Sequence, residues 1–196
     1  TIYRYQTQDL KHRAARRTLE SWDHCWHREW IDFLLETIQG TKRSDVFFVI
    51  VGSGTEFIRI KTWLNKLKPN NVLLLNILSK IEYDKLVAAC DVGLIFLNKN
   101  FTIPNYPSRL LSYLEMKIPV IAATDSSTDI GTDIEKNNSG FSVTSGDAQG
   151  MQNAINKIMS IISSSNIMKK NTWSFLQREF MVDKSYKLIV KSMSNK

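Results

Sequence analysis

Between residues 46 and 143 the chain carries five short apolar runs, with stretches of helical periodicity between them. The runs are Val46-Phe47-Phe48-Val49-Ile50-Val51, Val72-Leu73-Leu74-Leu75, Val92-Gly93-Leu94-Ile95-Phe96-Leu97, Pro119-Val120-Ile121-Ala122-Ala123 and Gly140-Phe141-Ser142-Val143. Strands this apolar must be covered on both faces, and strand followed by helix, repeated in series, is the pattern of a parallel sheet. Right-handed crossovers then predict an α/β, doubly wound, mainly parallel Rossmann-like sheet with helices on both faces. Ile31, Leu34, Leu35 and Ile38 predict a helix ending at Gly40. Phe57, Ile58, Ile60, Trp63, Leu64 and Leu67 mark another, and Tyr83, Leu86, Val87 and Cys90 a third. Ser79 followed by Glu82 has the spacing of a capping box, and Ser108 reads as the cap of a helix bearing Leu110, Leu111, Tyr113 and Leu114. Three helices are expected at the end, over about 147–163, 165–177 and 181–193.

Residues 1–29 differ from the rest. They hold all three histidines (His12, His24 and His27) and no glycine, and Trp22, Trp26 and Trp30 recur every fourth residue as on one helix face. The expected division is an atypical helical segment over 1–29, a Rossmann-like domain over 30–163 and C-terminal helices over 164–196. The 43% hydrophobic content of the 196 residues excludes disorder and fibrous repeats, and no apolar run is long enough to cross a bilayer. Two cysteines, Cys25 and Cys90, cannot make a disulfide scaffold and point to a reducing compartment. The first residue is Thr1 rather than Met, and the chain reads as a fragment. The net charge of +7 suits an anionic partner: nucleic acid, a phosphorylated ligand or an acidic membrane surface. The densest basic stretch, Lys11-His12-Arg13-Ala14-Ala15-Arg16-Arg17, reads as a solvated helix face.

Ligands in doubly wound sheets bind beyond the carboxyl ends of the strands, here 52–55, 76–79, 98–107 and 124–131. Gly52-Ser53-Gly54 joins a strand to a helix, where glycine admits a ligand close to the backbone and the helix N-terminus favours an anion. It is neither a full dinucleotide fingerprint nor a P-loop, and a plain tight turn explains it equally well. Pro107-Ser108-Arg109 opens the helix after the longest loop. In the first turn the charge of Arg109 opposes the helix dipole, a cost that a bound phosphate would reverse; an exposed arginine is the other reading. Asp125, Asp129 and Asp133 could accept from sugar or ribose hydroxyls, while capping by Asp129 or Thr128 is the simpler alternative. Asp23, His24, Cys25 and His27 can ligate metal, but no second cluster completes a zinc site, and no metal is expected.

Four motifs in order then carry a resemblance. They are Phe48-Val49-Ile50-Val51-Gly52-Ser53-Gly54, Leu86-Val87-Ala88-Ala89-Cys90-Asp91-Val92-Gly93-Leu94, Pro107-Ser108-Arg109-Leu110-Leu111-Ser112-Tyr113-Leu114 and Ile118-Pro119-Val120-Ile121-Ala122-Ala123. Over about residues 30–160 the chain resembles the C-terminal, donor-nucleotide-binding domain of retaining GT-B-fold bacterial glycosyltransferases of the capsule and O-antigen type. The resemblance implies two facing Rossmann-like domains. The C-terminal one binds a nucleotide-sugar, usually UDP-linked, with no tightly bound cofactor; the N-terminal one, absent from this chain, holds the acceptor. It implies that Ser108 and Arg109 contact the diphosphate at the helix start opened by Pro107. Gly52, Ser53 and Gly54 would line the nucleotide cleft, and 76–79 would run near the base. Many relatives carry two glutamates eight positions apart, the second on the ribose; Pro104 and Ser112 stand there, with Ser112 a weak substitute and Glu115 one turn later. The domain's first strand should precede Ile31, and residues 1–29 do not look like it. No catalytic residue is assigned.

The function this implies is sugar transfer from a nucleotide-sugar to a lipid-linked or saccharide acceptor in surface polysaccharide synthesis. The expected location is cytoplasmic, peripheral on an anionic inner membrane. A non-catalytic Rossmann-like nucleotide-binding module is the alternative. Nucleic acid is not expected as a partner, because charge alone favours it and no stacking or base-reading motif is present.

Overall fold

The computed structural model describes residues 16–21, 28–97, 106–125 and 127–194. Among them, six strands form one wholly parallel sheet in the order β3-β2-β1-β4-β5-β6. In chain order the elements are β1 (Arg16–Ser21), α1 (Arg28–Gly40), β2 (Val46–Val51), α2 (Thr55–Leu67), β3 (Val72–Leu75), α3 (Lys80–Ala88) and β4 (Val92–Phe96). There follow α4 (Ser108–Glu115), β5 (Val120–Thr124), α5 (Ile130–Lys136), β6 (Gly140–Thr144), α6 (Ala148–Ser164), α7 (Ile167–Glu179) and α8 (Val182–Ser194). The doubly wound architecture expected from the apolar runs is the one observed.

Both faces of the sheet are buried, and the pleat sorts the side chains between them. Val46, Phe48 and Ile50 of β2, with Val92, Leu94 and Phe96 of β4, pack against α1, α2 and α6. Their neighbours Val49, Val51, Ile95 and Leu97 point the other way, toward α3, α4, α5 and α7. Successive strand residues therefore enter opposite cores, which is why each run had to be continuously apolar.

The segment before residue 30 is where expectation and structure part. A helix was expected over 1–29, but Arg16–Ser21 form β1, the strand at the centre of the sheet. β1 pairs with β2 from Arg16–Val46 through Ser21–Val51 and with β4 at Thr18–Val92 and Leu19–Gly93. Its sequence, Arg-Arg-Thr-Leu-Glu-Ser, has almost no apolar signal. Pairing on both edges makes it a strand, because strand preference is mostly a matter of neighbours. The sheet thus extends upstream of residue 30. Trp22 and Trp26 lie outside the described residues.

β4 is gripped on both faces. Phe33 of α1 meets Phe96 edge-on, with ring centroids 5.4 Å apart and planes at 79°. On the opposite face the Tyr113 ring of α4 lies directly over Gly93, with the Tyr113 phenol donating to the Leu94 carbonyl at 3.3 Å. A methyl group at 93 would run into that ring. The close approach seats α4 on β4 and so sets where the N-terminus of α4 emerges at the carboxyl edge of the sheet.

Two glycine substitutions should rank by what they strike. Gly140→Ala would drive Cβ into the Val120 carbonyl oxygen, part of the β5 ladder, whereas Gly93→Ala meets a side chain that can tilt. We expect about 1–3 kcal/mol of destabilisation for Gly93→Ala and more for Gly140→Ala, measured as urea-unfolding midpoints. Equal midpoints would contradict this packing.

Candidate functional site

The strand order reverses between β1 and β4. From β1 the chain winds through β2 to β3 at one edge, then continues from β4 through β5 to β6 at the other. In doubly wound sheets the crevice beyond the carboxyl ends at such a reversal is where ligands bind. Residues 22–27 connect β1 to α1, and residues 98–105 lead from β4 toward α4; both lie outside the described residues, with Asp23, His24, Cys25 and His27 in the first. Among the described residues no group of three or more His, Cys, Asp or Glu gathers for a metal.

Gly52-Ser53-Gly54 stands at the end of β2. Gly52 is buried and its amide donates to the Leu75 carbonyl at 3.1 Å, so the turn begins with the β2–β3 ladder still intact. Gly54 caps α2 with φ 114° and ψ −170°, a conformation open to glycine and strained for other residues. No side chain caps this helix. Beyond β4, which is separated from β2 by β1, Pro107 caps α4 in an extended conformation, again without a side-chain cap bond. Ser108 is the first helical residue rather than the cap and is exposed. Pro has no amide proton, and its fixed φ suits the entry to the helix. Ser112 lies four residues on, half-buried, on the same face of α4 as Ser108.

Arg109 is not an exposed arginine. It is 9% exposed, and its Nη2 donates to the Phe96 carbonyl, the last of β4, at 3.2 Å. The first turn of α4 holds no acidic residue. A buried guanidinium is therefore fixed at the carboxyl end of β4, beneath the helix start.

Tyr106 secures the approach to this turn. Its phenol hydrogen-bonds the Asp133 carboxylate of α5. Its ring meets Phe180 at 5.9 Å, and Phe180 packs on Phe175 of α7 at 5.3 Å. Burial first, and then the Asp133 bond, push the Tyr106 phenol well above its ordinary pKa. Asp133 is thus engaged internally. Asp125 is too: buried, it accepts from the Ser127 amide at 2.6 Å and from Thr128 Oγ1 at 2.8 Å, closing the turn after β5. Thr128 therefore donates to Asp125 instead of capping α5. Asp129 holds the cap position of α5 without a side-chain cap bond, and it is exposed. Among the described residues, Asp125 and Asp133 have side-chain hydrogen bonds and Asp129 has none. The role of Tyr106 had no signal in the sequence, since nothing in its spacing links it to Asp133.

After β3, Asn76 Oδ1 accepts from the Ile77 amide at 3.1 Å, and Ile77 is 63% exposed. The expected capping box is present: Ser79 Oγ accepts from the Glu82 amide while Glu82 accepts from the Ser79 amide at 3.0 Å and its hydroxyl at 2.7 Å. These bonds from Ser79 hold the Glu82 carboxyl below its usual pKa.

Residues 23–160 match the protein family described as Glycosyl transferases group 1. The chain belongs to this family. No curated protein sequence matches it. Its fold is similar to that of Alr3699/HepE from Anabaena, solved with UDP-glucose, at TM-score 0.74 and 18% identity, covering 100% of this chain and 52% of that one. TarM from S. aureus, in complex with Fondaparinux, alpha-GlcNAc-glycerol and UDP, superimposes at TM-score 0.72 and 15% identity over 92% of this chain and 36% of its own. Sucrose-phosphate synthase from Thermosynechococcus elongatus does so at 0.72 and 17%, over 97% and 49%. At such identities the likeness is one of fold, the Rossmann-like half of a GT-B architecture. The group 1 chain spans about half the length of HepE.

Removing the Ser79 hydroxyl should cost this group 1 domain about 1 kcal/mol. A depressed carboxylate pKa stabilises the fold above the ordinary glutamate value of 4.5 and ceases to do so as pH falls through the folded value. The gap between wild type and Ser79→Ala in thermal unfolding should thus be full at pH 7 and shrink as pH falls below 4.5; a gap independent of pH would refute the assignment.

Proposed function

We propose that this domain is the donor-binding half of a glycosyltransferase that moves a sugar from a UDP-linked donor to a lipid-linked or saccharide acceptor during surface polysaccharide synthesis. The observation that carries the reading is the reversal of strand order between β1 and β4, with a glycine turn lacking a side-chain cap after β2 on one side and the Pro107-Ser108-Arg109 helix start after β4 on the other. HepE, a structural relative, was solved with UDP and with UDP-glucose, and TarM with UDP.

The diphosphate would lie at the start of α4. There the Ser108 hydroxyl donates to it, the helix dipole favours its charge and the buried Arg109 adds a fixed positive field from beneath. In the transition state the leaving diphosphate gains negative charge, and groups already oriented toward it stabilise that charge without reorganising. The Gly52-Ser53-Gly54 turn would line the nucleotide, with 76–79 toward the base and Ser112 toward the ribose. The acceptor is held by a second domain outside this chain, and transfer needs both halves. The reading carries with it a retaining mechanism of the capsule and O-antigen type and a cytoplasmic site of action on an anionic inner membrane. A nucleotide-binding module without transfer activity is the second reading, favoured by Ser112 standing where the resemblance puts a ribose-binding glutamate.

Calorimetry with UDP tests the site. Ser108→Ala should weaken binding by about 3- to 10-fold, the worth of one hydrogen bond, and Ser108→Asp should weaken it further by placing a second anion at the helix start. Gly54→Ala should lower both UDP affinity and stability. UDP binding unaffected by all three, or no binding at millimolar UDP, would overturn the assignment. Slow release of free sugar from UDP-sugar, lost in Arg109→Met while UDP still binds, would separate an enzyme from a binding module.

A further inference from the structure

The opposite edge of the sheet holds a second cavity. It has a volume of about 430 Å³ and opens where α1 runs into β2 and α2 into β3, at the amino ends of the strands. Its size falls in the range of small-molecule sites. The lining combines the half-buried indole of Trp63 with the amides Gln39, Asn70 and Asn71 and the exposed Lys42, while the Phe47 side chain packs into the core on the other face of the sheet. Among the described residues that line it there is no carboxylate. Its other cation, Arg43, is already paired in a fork with Asp45 at 2.8 and 2.6 Å, and Thr41 is bonded to the Thr37 carbonyl. The side chains of Gln39, Asn70 and Lys42 have no hydrogen bond to any described residue.

We propose that this pocket is a second saccharide-binding site, selective for sugars bearing an acidic group. The chemistry is specific in its parts. A sugar ring offers an apolar C–H face that packs on an indole, and its vicinal hydroxyls pair with side-chain amides that both donate and accept. Lys42, a compact ammonium at the mouth with no carboxylate beside it in the lining, supplies the partner for a carboxylate or phosphate on that sugar. The edge placement puts the site at the amino ends of the strands, away from the donor crevice, so a saccharide here and a donor there can be bound at the same time. The inference draws on membership of a glycosyltransferase family and not on the donor assignment, so either can fail alone.

The test titrates the isotope-labelled protein with trigalacturonic acid, maltotriose and inorganic phosphate, following side-chain indole and amide resonances by NMR, with UDP affinity measured in parallel. Trigalacturonic acid should shift the Trp63 indole and Asn70 amide signals. Its affinity should fall about fivefold or more in Trp63→Ala, the loss of one aromatic contact, and by a smaller factor in the surface variants Asn70→Ala and Lys42→Ala. UDP affinity should stay as in the wild type in all three. Trp63 packs partly on the core, so the two surface variants keep the test sound if Trp63→Ala is unstable. The proposal is overturned if no sugar shifts these signals, if both surface variants bind trigalacturonic acid as the wild type does, or if phosphate alone produces the same shifts. Equal binding of maltotriose would overturn the acidic selectivity.

Discussion

The structure depends on β1 pairing on both of its edges. It joins β2 to β4, and without it the sheet would separate into β3-β2 and β4-β5-β6. Each half would then have an unpaired edge and a two-faced apolar surface too narrow to bury itself. The same strand creates the switch point, because the windings that start at β2 and at β4 run away from each other on either side of it. Fold and candidate site therefore have one origin, a six-residue strand with almost no apolar signal in its sequence.

The carboxyl edge is built with little slack. Tyr113 over Gly93 seats α4 on β4, Arg109 binds the last carbonyl of β4, and Tyr106 is tied to α5 and α7. Each contact fixes the first turn of α4 from a different side. A helix start meant to meet a diphosphate gains from this, since donors that need not move cost nothing when charge develops. Asp125 and Asp133, which look like ligand-binding groups in the sequence, instead brace the loops that frame the crevice.

Much of this was legible beforehand for a simple reason. A strand buried on both faces must be apolar throughout, so β2 to β6 announced themselves, as did the box at Ser79 and Glu82, whose bonds span only three residues. The helix start at Pro107 was visible too, although one residue off, because Ser108 is a good cap by composition while Pro107 takes the cap position. β1 was hidden. Arg16–Ser21 lack strand alternation and have Leu19 as their single apolar residue, and the tryptophans every fourth residue downstream suggested a helix.

By itself the sequence determined the class of fold, the direction of the strands and the places where a ligand could bind. These follow from local periodicity, and burial on two faces imposes that periodicity wherever it occurs. Only the tertiary structure decided which strand is central, that Arg109 is buried rather than exposed, and that Asp125 and Asp133 are tied into the loops. Three of these rest on a partner far away in the chain: β2 and β4 for β1, the Phe96 carbonyl for Arg109, Tyr106 for Asp133. Spacing along a sequence carries no record of such pairings, because they form between surfaces that exist only once the sheet is assembled.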